Sequence, residues 1–293
     1  MAPKGNVFTV ATFNLLDELA RIEVAAAASS ILFRQNEARH QQLLIKLNEE
    51  SEDADRQAND SPHVRFRTVL PVVDVFVKAG FNKLSHRATS IADEKYFHLI
   101  REIYCRSNAQ SICMVYEVFE RFIKSFAALL FFQERKTVEL ARKKWFHRNH
   151  PELVKAKGKN TAEYFQAYVD LVSNRNCDDL LDELADLLPD FKKTCAPGNF
   201  PDLFAIYRAV SKIRHLTVHC NGRFTEKDFK KLGEWDLGFL KSITTANVLD
   251  GKGTLLPFYE STLPLFEGIG GMAWCMYRLA SEKYGMVIQY PRA

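Results

Sequence analysis

Between Ser111 and Phe132 apolar side chains recur at intervals of three and four, and they do so on more than one face: Ile112, Val115 with Tyr116, Phe119, Phe122 with Ile123, Phe126, and Leu129 with Leu130. A period near 3.6 residues specifies an α-helix, and a stripe this wide asks for burial on several sides, so the segment reads as a central bundle helix. No proline interrupts residues 93–132, which sets the expected helix at about Asp93 to Phe132, with Ser107-Asn108 as a candidate break. On its polar side Glu117 with Arg121 and Glu120 with Lys124 stand four apart in the favoured Glu-first order. These pairs support a helix, and Glu117 and Glu120 are also the acids best placed to meet a cation from a neighbouring helix.

The remaining segments point the same way, to an all-α helical bundle with additional helices at both ends. Residues from about Val7 to Glu50 read as one or two helices, with Phe13, Leu16, Leu19, Val24 and Ala27 spaced as an inward face. The polar, acidic run Asn48 to Pro62 marks the main internal boundary, separating an N-terminal segment, residues 1–60, from a helical domain, residues 61–293. Residues 69–81 lean to a short helix. Helices are further expected over Asn160 to Ser173, over the acidic amphipathic segment 178–190, from about Asp202 to His219, over Thr225 to Ile243 and from about Leu263 to Tyr284. The acids of 178–190 read as solvated, Asp250 to Gly253 as a turn, and Gly268, Gly270 and Gly271 as points of close helix packing.

With 47% hydrophobic residues in 293 the chain has ample material for a core, and the net charge of +4 permits an acidic partner without demanding one. Charge distribution says more. Residues 135–159 hold nine basic residues against two acidic ones, with Trp145 and Phe146 among them. Arg142, Lys143, Lys144 and Arg148 would neutralise phosphates and Trp145 could stack on an unpaired base; a solvated face with Trp145 turned inward is an equal reading. The six cysteines show no CxxC pair or framework spacing, which suggests free thiols in a reducing, cytoplasmic setting. The first residues lack a signal-peptide layout, and no apolar run is long and uncharged enough to span a membrane, so no membrane partner is expected.

Most of the chemistry this chain could do gathers at Ile213-Arg214-His215-Leu216-Thr217-Val218-His219-Cys220-Asn221-Gly222. A permanently charged guanidinium can grip a phosphate through two hydrogen bonds, and imidazole exchanges a proton near neutral pH, so the two are a minimal toolkit for phosphodiester cleavage. A salt-bridged Arg beside two solvated His is the plainer reading of the spacing. At about 100° per residue from Leu203, Tyr207, Val210, Arg214 and Val218 share one side, which puts Arg214 on the apolar face, whereas His215 and His219 share an edge and His219 lies about 140° from Arg214. A buried guanidinium needs a partner, either Glu117 or Glu120, or an anion in a polar cleft. Asn221-Gly222 is a helix stop, so His219 sits in the last turn, where the helix dipole favours a cation. A working site would need a distorted last turn, or a second copy of the chain bringing two Arg214 and two His219 into one cleft.

Arg214-His215-x-x-x-His219 followed by Asn221-Gly222, in an all-helical chain, resembles the Arg-polar-x(3)-His signature of the HEPN superfamily. The helix Ser111 to Phe132, with Tyr116-Glu117-Val118-Phe119-Glu120-Arg121-Phe122, is similar to the long acidic and aromatic helix that such domains set against the motif helix. The likeness covers roughly residues 95–245. It implies a bundle that dimerises across the motif and cuts RNA without a metal or other cofactor. The ribose 2′-hydroxyl attacks the adjacent phosphate, leaving 2′,3′-cyclic phosphate and 5′-hydroxyl ends. By the same resemblance Arg214 stabilises the phosphorane, His219 transfers protons and His215 orients the motif or touches RNA, with Glu117, Glu120 and Asn221 in support. Such domains serve in toxin–antitoxin and antiviral defence systems, so an antitoxin or regulatory partner is a further expectation. A non-catalytic RNA- or nucleotide-binding or scaffold protein of the same fold is the alternative. Reading His215 and His219 as an HxxxH metal pair lacks an evident third ligand and the Glu that follows the first His in the protease motif.

Overall fold

The computed structural model describes residues 5–54, 94–135, 143–157, 161–172, 177–188, 190–195, 202–220, 222–225, 244–245, 252–255 and 257–290. The expected boundary near residue 60, the helix expected over 69–81 and residues 226–243 of the helix expected over 225–243 lie outside these residues, and Thr225, expected to open that helix, lies in a strand. Among the described residues the elements are α1 (Thr9–Ala54), α2 (Glu94–Gln133), α3 (Lys143–Asn149), α4 (Pro151–Lys157), α5 (Ala162–Val172), α6 (Cys177–Leu187), α7 (Phe191–Cys195), α8 (Leu203–Cys220), β1 (Arg223–Thr225), β2 (Thr244–Thr245), β3 (Lys252–Leu255) and α9 (Tyr259–Lys283). The fold is all-α. A small sheet has the order β1-β3-β2, antiparallel throughout, with Arg223 opposite Thr254 and Thr244 opposite Leu255. Lys252 and Gly253, expected in a turn, belong to β3.

The chain divides into two compact units, residues 1–24 with 109–293, and residues 25–108. In the smaller unit Phe33 of α1 stacks on Tyr104 of α2, ring centroids 4.4 Å apart and planes 9° from parallel. Buried Cys105 lies beside Tyr104 in sequence, and its thiol is pushed up to about 11 by burial, which disfavours the thiolate.

In the larger unit α2 carries the apolar stripe read from the sequence. Ile112, Val115, Phe119, Ile123, Phe126 and Leu130 are all fully buried, while Met114, Glu117 and Arg121 on the opposite side of the helix stay exposed. The helix runs unbroken through Ser107-Asn108, with Asn108 buried. The start of α1 packs here through Thr12, Leu15, Leu19 and Ile22. That face is offset from the expected one: Val24 is 69% exposed, while Phe13 and Leu16 are half-buried. Arg121, four residues after Glu117, pairs instead with Glu18 of α1 at 2.7 Å, whereas Lys124 pairs with Glu120 at 2.9 Å as the spacing predicts.

The end of the described chain is fastened to its beginning. Buried Asn6 donates from Nδ2 to Ser281 Oγ at 2.8 Å and to the Val287 carbonyl at 3.0 Å, and its Oδ1 accepts the Phe8 N–H at 3.0 Å. These three bonds satisfy a side chain that burial would otherwise penalise. The Phe8 ring then meets Phe126 with centroids 4.8 Å apart, tying the N-terminus to α2.

Helix α9 buries Leu265, Ile269, Met272, Ala273, Met276 and Tyr277 and lies against α8 at Gly268. A Cβ there would fall 2.5 Å from Ile206 Cδ1 and 2.9 Å from Cγ2, so only hydrogen in place of a side chain lets the two helices approach this closely. On α6 Leu180, Leu181 and Leu184, and just after it Leu188, turn inward while Asp179, Asp182 and Asp186 are exposed, as the sequence pattern implied. No helix among the described residues is long and apolar enough to cross a membrane.

Candidate functional site

Helix α8 carries Arg214, His215 and His219. Asp202 starts it: its carboxylate accepts the Phe204 N–H at 2.9 Å and its carbonyl accepts the Ile206 N–H at 3.0 Å, an N-terminal cap. At the other end Gly222 takes a φ of +74°, a conformation that suits glycine, and its N–H returns to the Leu216 carbonyl at 2.9 Å. The Gly222 carbonyl then accepts the Leu255 N–H at 2.8 Å, so the chain leaves α8 directly into the small sheet. Asn221 lies outside the described residues.

The buried side of α8 is Ile206, Tyr207, Ala209, Val210, Ile213 and Leu216. In angle about the axis, these residues centre some 80° away from the direction of Arg214. Arg214 therefore sits on the rim of the apolar face and is half-buried rather than enclosed, and Val218, expected on the inward side, is 53% exposed. The guanidinium carbon lies over the Tyr116 ring of α2 at 5.4 Å. Tyr116 in turn stacks on Tyr207 with centroids 6.2 Å apart and planes 19° from parallel, and Tyr207 meets Phe119 at 5.7 Å. An aromatic face attracts a cation without neutralising it, so this column positions the charge and leaves it unspent.

Neither acid expected to meet Arg214 forms an ion pair with it. Glu120 is held by Lys124. Glu117 is exposed and lines a surface cleft of about 230 Å³ with Glu18, Arg21, Met114 and Arg121. Among the described residues Arg214 Nε is a buried atom without a hydrogen-bond partner. Its charge is felt by the Cys113 thiol, whose pKa is raised by burial against the opposing effects of the Thr217 hydroxyl and Arg214, with Glu117 adding to the rise. The strip of α2 beneath the motif thus presents a thiol, a tyrosine ring and an exposed carboxylate.

His215 and His219 are both exposed, with ring centroids 5.0 Å apart and planes at 48°. Helix α8 stays α-helical through Cys220, so the last turn does not bend His219 back toward Arg214. Within one chain the structure brings the two imidazoles together and keeps the guanidinium apart on another side of the helix.

In the basic stretch Lys143, Lys144 and Arg148 are exposed on α3. Arg142 and the Trp145 side chain lie outside what is described. Phe146, the second ring of that stretch, is fully buried against Tyr164 and Tyr168, both at 5.5 Å, so it is not a surface on which a base can stack. His147 shares a 2.7 Å hydrogen bond with the Tyr164 hydroxyl, which fixes α3 on α5.

The residues that sequence reasoning missed are Tyr116 and Tyr207 as the seat of Arg214. Half of that signal was present, because Tyr207 stands seven residues before Arg214 and so on the same side of α8. No family model, curated protein or solved structure matches the chain. What the site does therefore rests on its own geometry.

Proposed function

We propose that the chain is a metal-independent endoribonuclease resembling those of the HEPN superfamily, acting in the cytoplasm as a homodimer across the Arg214–His219 motif. The observation that carries this reading is Arg214: a half-buried guanidinium seated on Tyr116, with Nε unpartnered and no carboxylate pairing with it among the described residues. Leaving such a donor unsatisfied costs about 1–3 kcal/mol, and the half-buried guanidinium around it keeps solvent-facing area that an anion can meet. Phosphate is the anion whose geometry a guanidinium matches best.

In the proposed reaction the ribose 2′-oxygen bonds to phosphorus as its proton passes to a neutral imidazole. The bond from phosphorus to the 5′-oxygen breaks, and that oxygen takes a proton from an imidazolium. Arg214 stabilises the charge that builds on the phosphorane, the role of a preorganised donor. His219 performs the proton transfers and His215 orients it. Because Arg214 and His219 diverge on a regular helix, a two-fold pairing of α8 with its copy is what would unite them, and it would provide one His as base and one as acid. Exposed Val218, one turn beyond Arg214, offers such a copy an apolar contact. A toxin or antiviral role, with an antitoxin or regulatory partner, belongs to the same proposal.

The test is to incubate tag-free protein with single-stranded RNA in EDTA beside Arg214→Ala and His219→Ala. Cleavage that resists chelator and disappears in both variants supports the nuclease. RNA binding without cleavage would leave the second reading, a binding protein using exposed Lys143, Lys144 and Arg148.

A further inference from the structure

We infer that His215 and His219 form a two-imidazole clamp for a single imidazole-preferring divalent cation, Cu²⁺, Ni²⁺ or Zn²⁺, and that this cation would silence the site. The metal plays no part in the proposed chemistry. The inhibitory half of the inference rests on the nuclease reading, whereas the binding half stands without it.

The geometry is specific. The rings stand one turn apart on a regular helix, both exposed, with centroids 5.0 Å apart and planes at 48°. A cation about 2.0–2.1 Å from one nitrogen of each ring lies about 3.2 Å from each centroid, and a near-tetrahedral angle at the metal then separates the centroids by about 5 Å. The observed centroid spacing matches that requirement, and turning the two exposed rings about their side-chain bonds brings one nitrogen of each to the cation. Two imidazoles a helical turn apart are also the pair that holds zinc in helical metalloprotease motifs, so the backbone spacing suits shared coordination. The Arg214 guanidinium is seated over Tyr116 on another side of the helix, while Lys212, one turn before His215, shares the side of α8 that carries the pair and is a charge the bound cation must tolerate.

Among the described residues no group of three or more His, Cys, Asp or Glu side chains gathers for a metal, so of these residues the pair alone supplies ligands and water takes the positions it leaves open. That makes the site one of moderate affinity and open access, occupied when the cation is present and vacant after chelation. Imidazole donors without carboxylates select d-block cations over Mg²⁺ and Ca²⁺, which prefer oxygen, and the expected order places Cu²⁺ ahead of Ni²⁺ and Zn²⁺. A cation bound to His219 occupies the lone pair that would accept the 2′-hydroxyl proton. The site would thereby be regulated by the metal it does not need.

The decisive experiment uses tag-free, chelator-stripped full-length protein titrated with CuCl₂ and with ZnCl₂ in a calorimeter, and with Cu²⁺ in electron paramagnetic resonance. One cation per chain is expected, with Mg²⁺ in large excess failing to compete and with nitrogen hyperfine structure from two imidazoles. His215→Ala and His219→Ala should each weaken binding at least tenfold and reduce the nitrogen pattern to one, while Cys220→Ala leaves both readings unchanged. Circular dichroism of each variant separates lost ligation from lost folding. Unchanged affinity in both histidine variants would overturn the inference, as would a nitrogen pattern that they do not alter. If RNA is cleaved, Zn²⁺ should slow the wild type and EDTA restore it, while whatever rate His215→Ala retains should not fall further with Zn²⁺. Cleavage in EDTA without metal binding at the pair defeats the clamp and leaves the nuclease. Binding at the pair without any cleavage does the reverse.

Discussion

Replacing Gly268 by alanine adds a single methyl where α9 meets α8, and the structure gives its size in advance. The new carbon lies 2.5 Å from Ile206 Cδ1, 2.9 Å from Cγ2 and 3.4 Å from Cβ. Cδ1 ends a side chain and can rotate away. Cγ2 is branched from Cβ and moves only with a change of rotamer or of the helix itself. Overpacking of this kind costs about 1–3 kcal/mol, against which alanine gains about 0.8–1 kcal/mol in intrinsic helix propensity. The net is a loss of up to about 2 kcal/mol. At about 2–4 °C per kcal/mol for a chain of this size, the melting temperature should fall, by up to about 8 °C, in differential scanning calorimetry. Ile206→Val removes the nearest carbon and alone should cost about 0.5–1.5 kcal/mol. In the double variant the alanine methyl fills the room that Cδ1 leaves, so the two losses should fall short of additivity by about 1 kcal/mol. A Gly268→Ala protein that melts at or above the wild-type temperature, or a double variant whose losses simply add, would refute the close α8–α9 contact.

Tyr116→Phe keeps the ring under Arg214 and should retain most RNA cleavage, whereas Tyr116→Leu should lower kcat more than KM while the circular dichroism spectrum stays intact; equal rates in the two variants would count against the ring as a seat for the charge. Substituting Lys143, Lys144 and Arg148 together by alanine should reduce the salt dependence of single-stranded RNA binding by about 2 in log–log slope, near 0.7 per phosphate contact, and an unchanged slope would show that this exposed face does not meet RNA. The Cys105 thiol is held at about 11 by burial against an ordinary 9.0, so its contribution to stability is complete below pH 9 and is lost as pH rises from 9 to 11. Between pH 8 and pH 10.5 the melting temperature of Cys105→Ala should therefore fall less than that of the wild type, and equal falls would contradict the sign.

How much of this was legible in the sequence depends on how local the cause is. The buried face of α2 could be read directly because Ile112 to Leu130 repeats its apolar residues in one broad, uninterrupted stripe. In α1 the Ala-rich stretch beyond Val24 blurs the periodicity, and the inward face proved to be Thr12, Leu15, Leu19 and Ile22. Glu120–Lys124 follows from spacing along one helix. Arg121–Glu18 spans two elements 103 residues apart, and nothing in the spacing on α2 distinguishes it from the expected Glu117 partner. The small sheet was missed for the same reason, since β1, β2 and β3 are two to four residues long and exist only through pairing with distant segments. At the site the divergence of Arg214 from His219 was set by helix arithmetic alone. The aromatic seat of Arg214 was not, because Tyr116 lies on another helix, and only packing brings it beneath the guanidinium.

The proposed chemistry makes the ribose 2′-hydroxyl the nucleophile, and a substrate can be built without it. Single-stranded RNA and the same oligonucleotide with 2′-O-methyl groups throughout should bind alike through phosphate contacts, yet only the unmodified strand should be cut in EDTA, giving 2′,3′-cyclic phosphate and 5′-hydroxyl ends by mass spectrometry. Cleavage of the methylated strand, or products bearing 5′-phosphate, would contradict the assignment of Arg214 and His219 to this reaction.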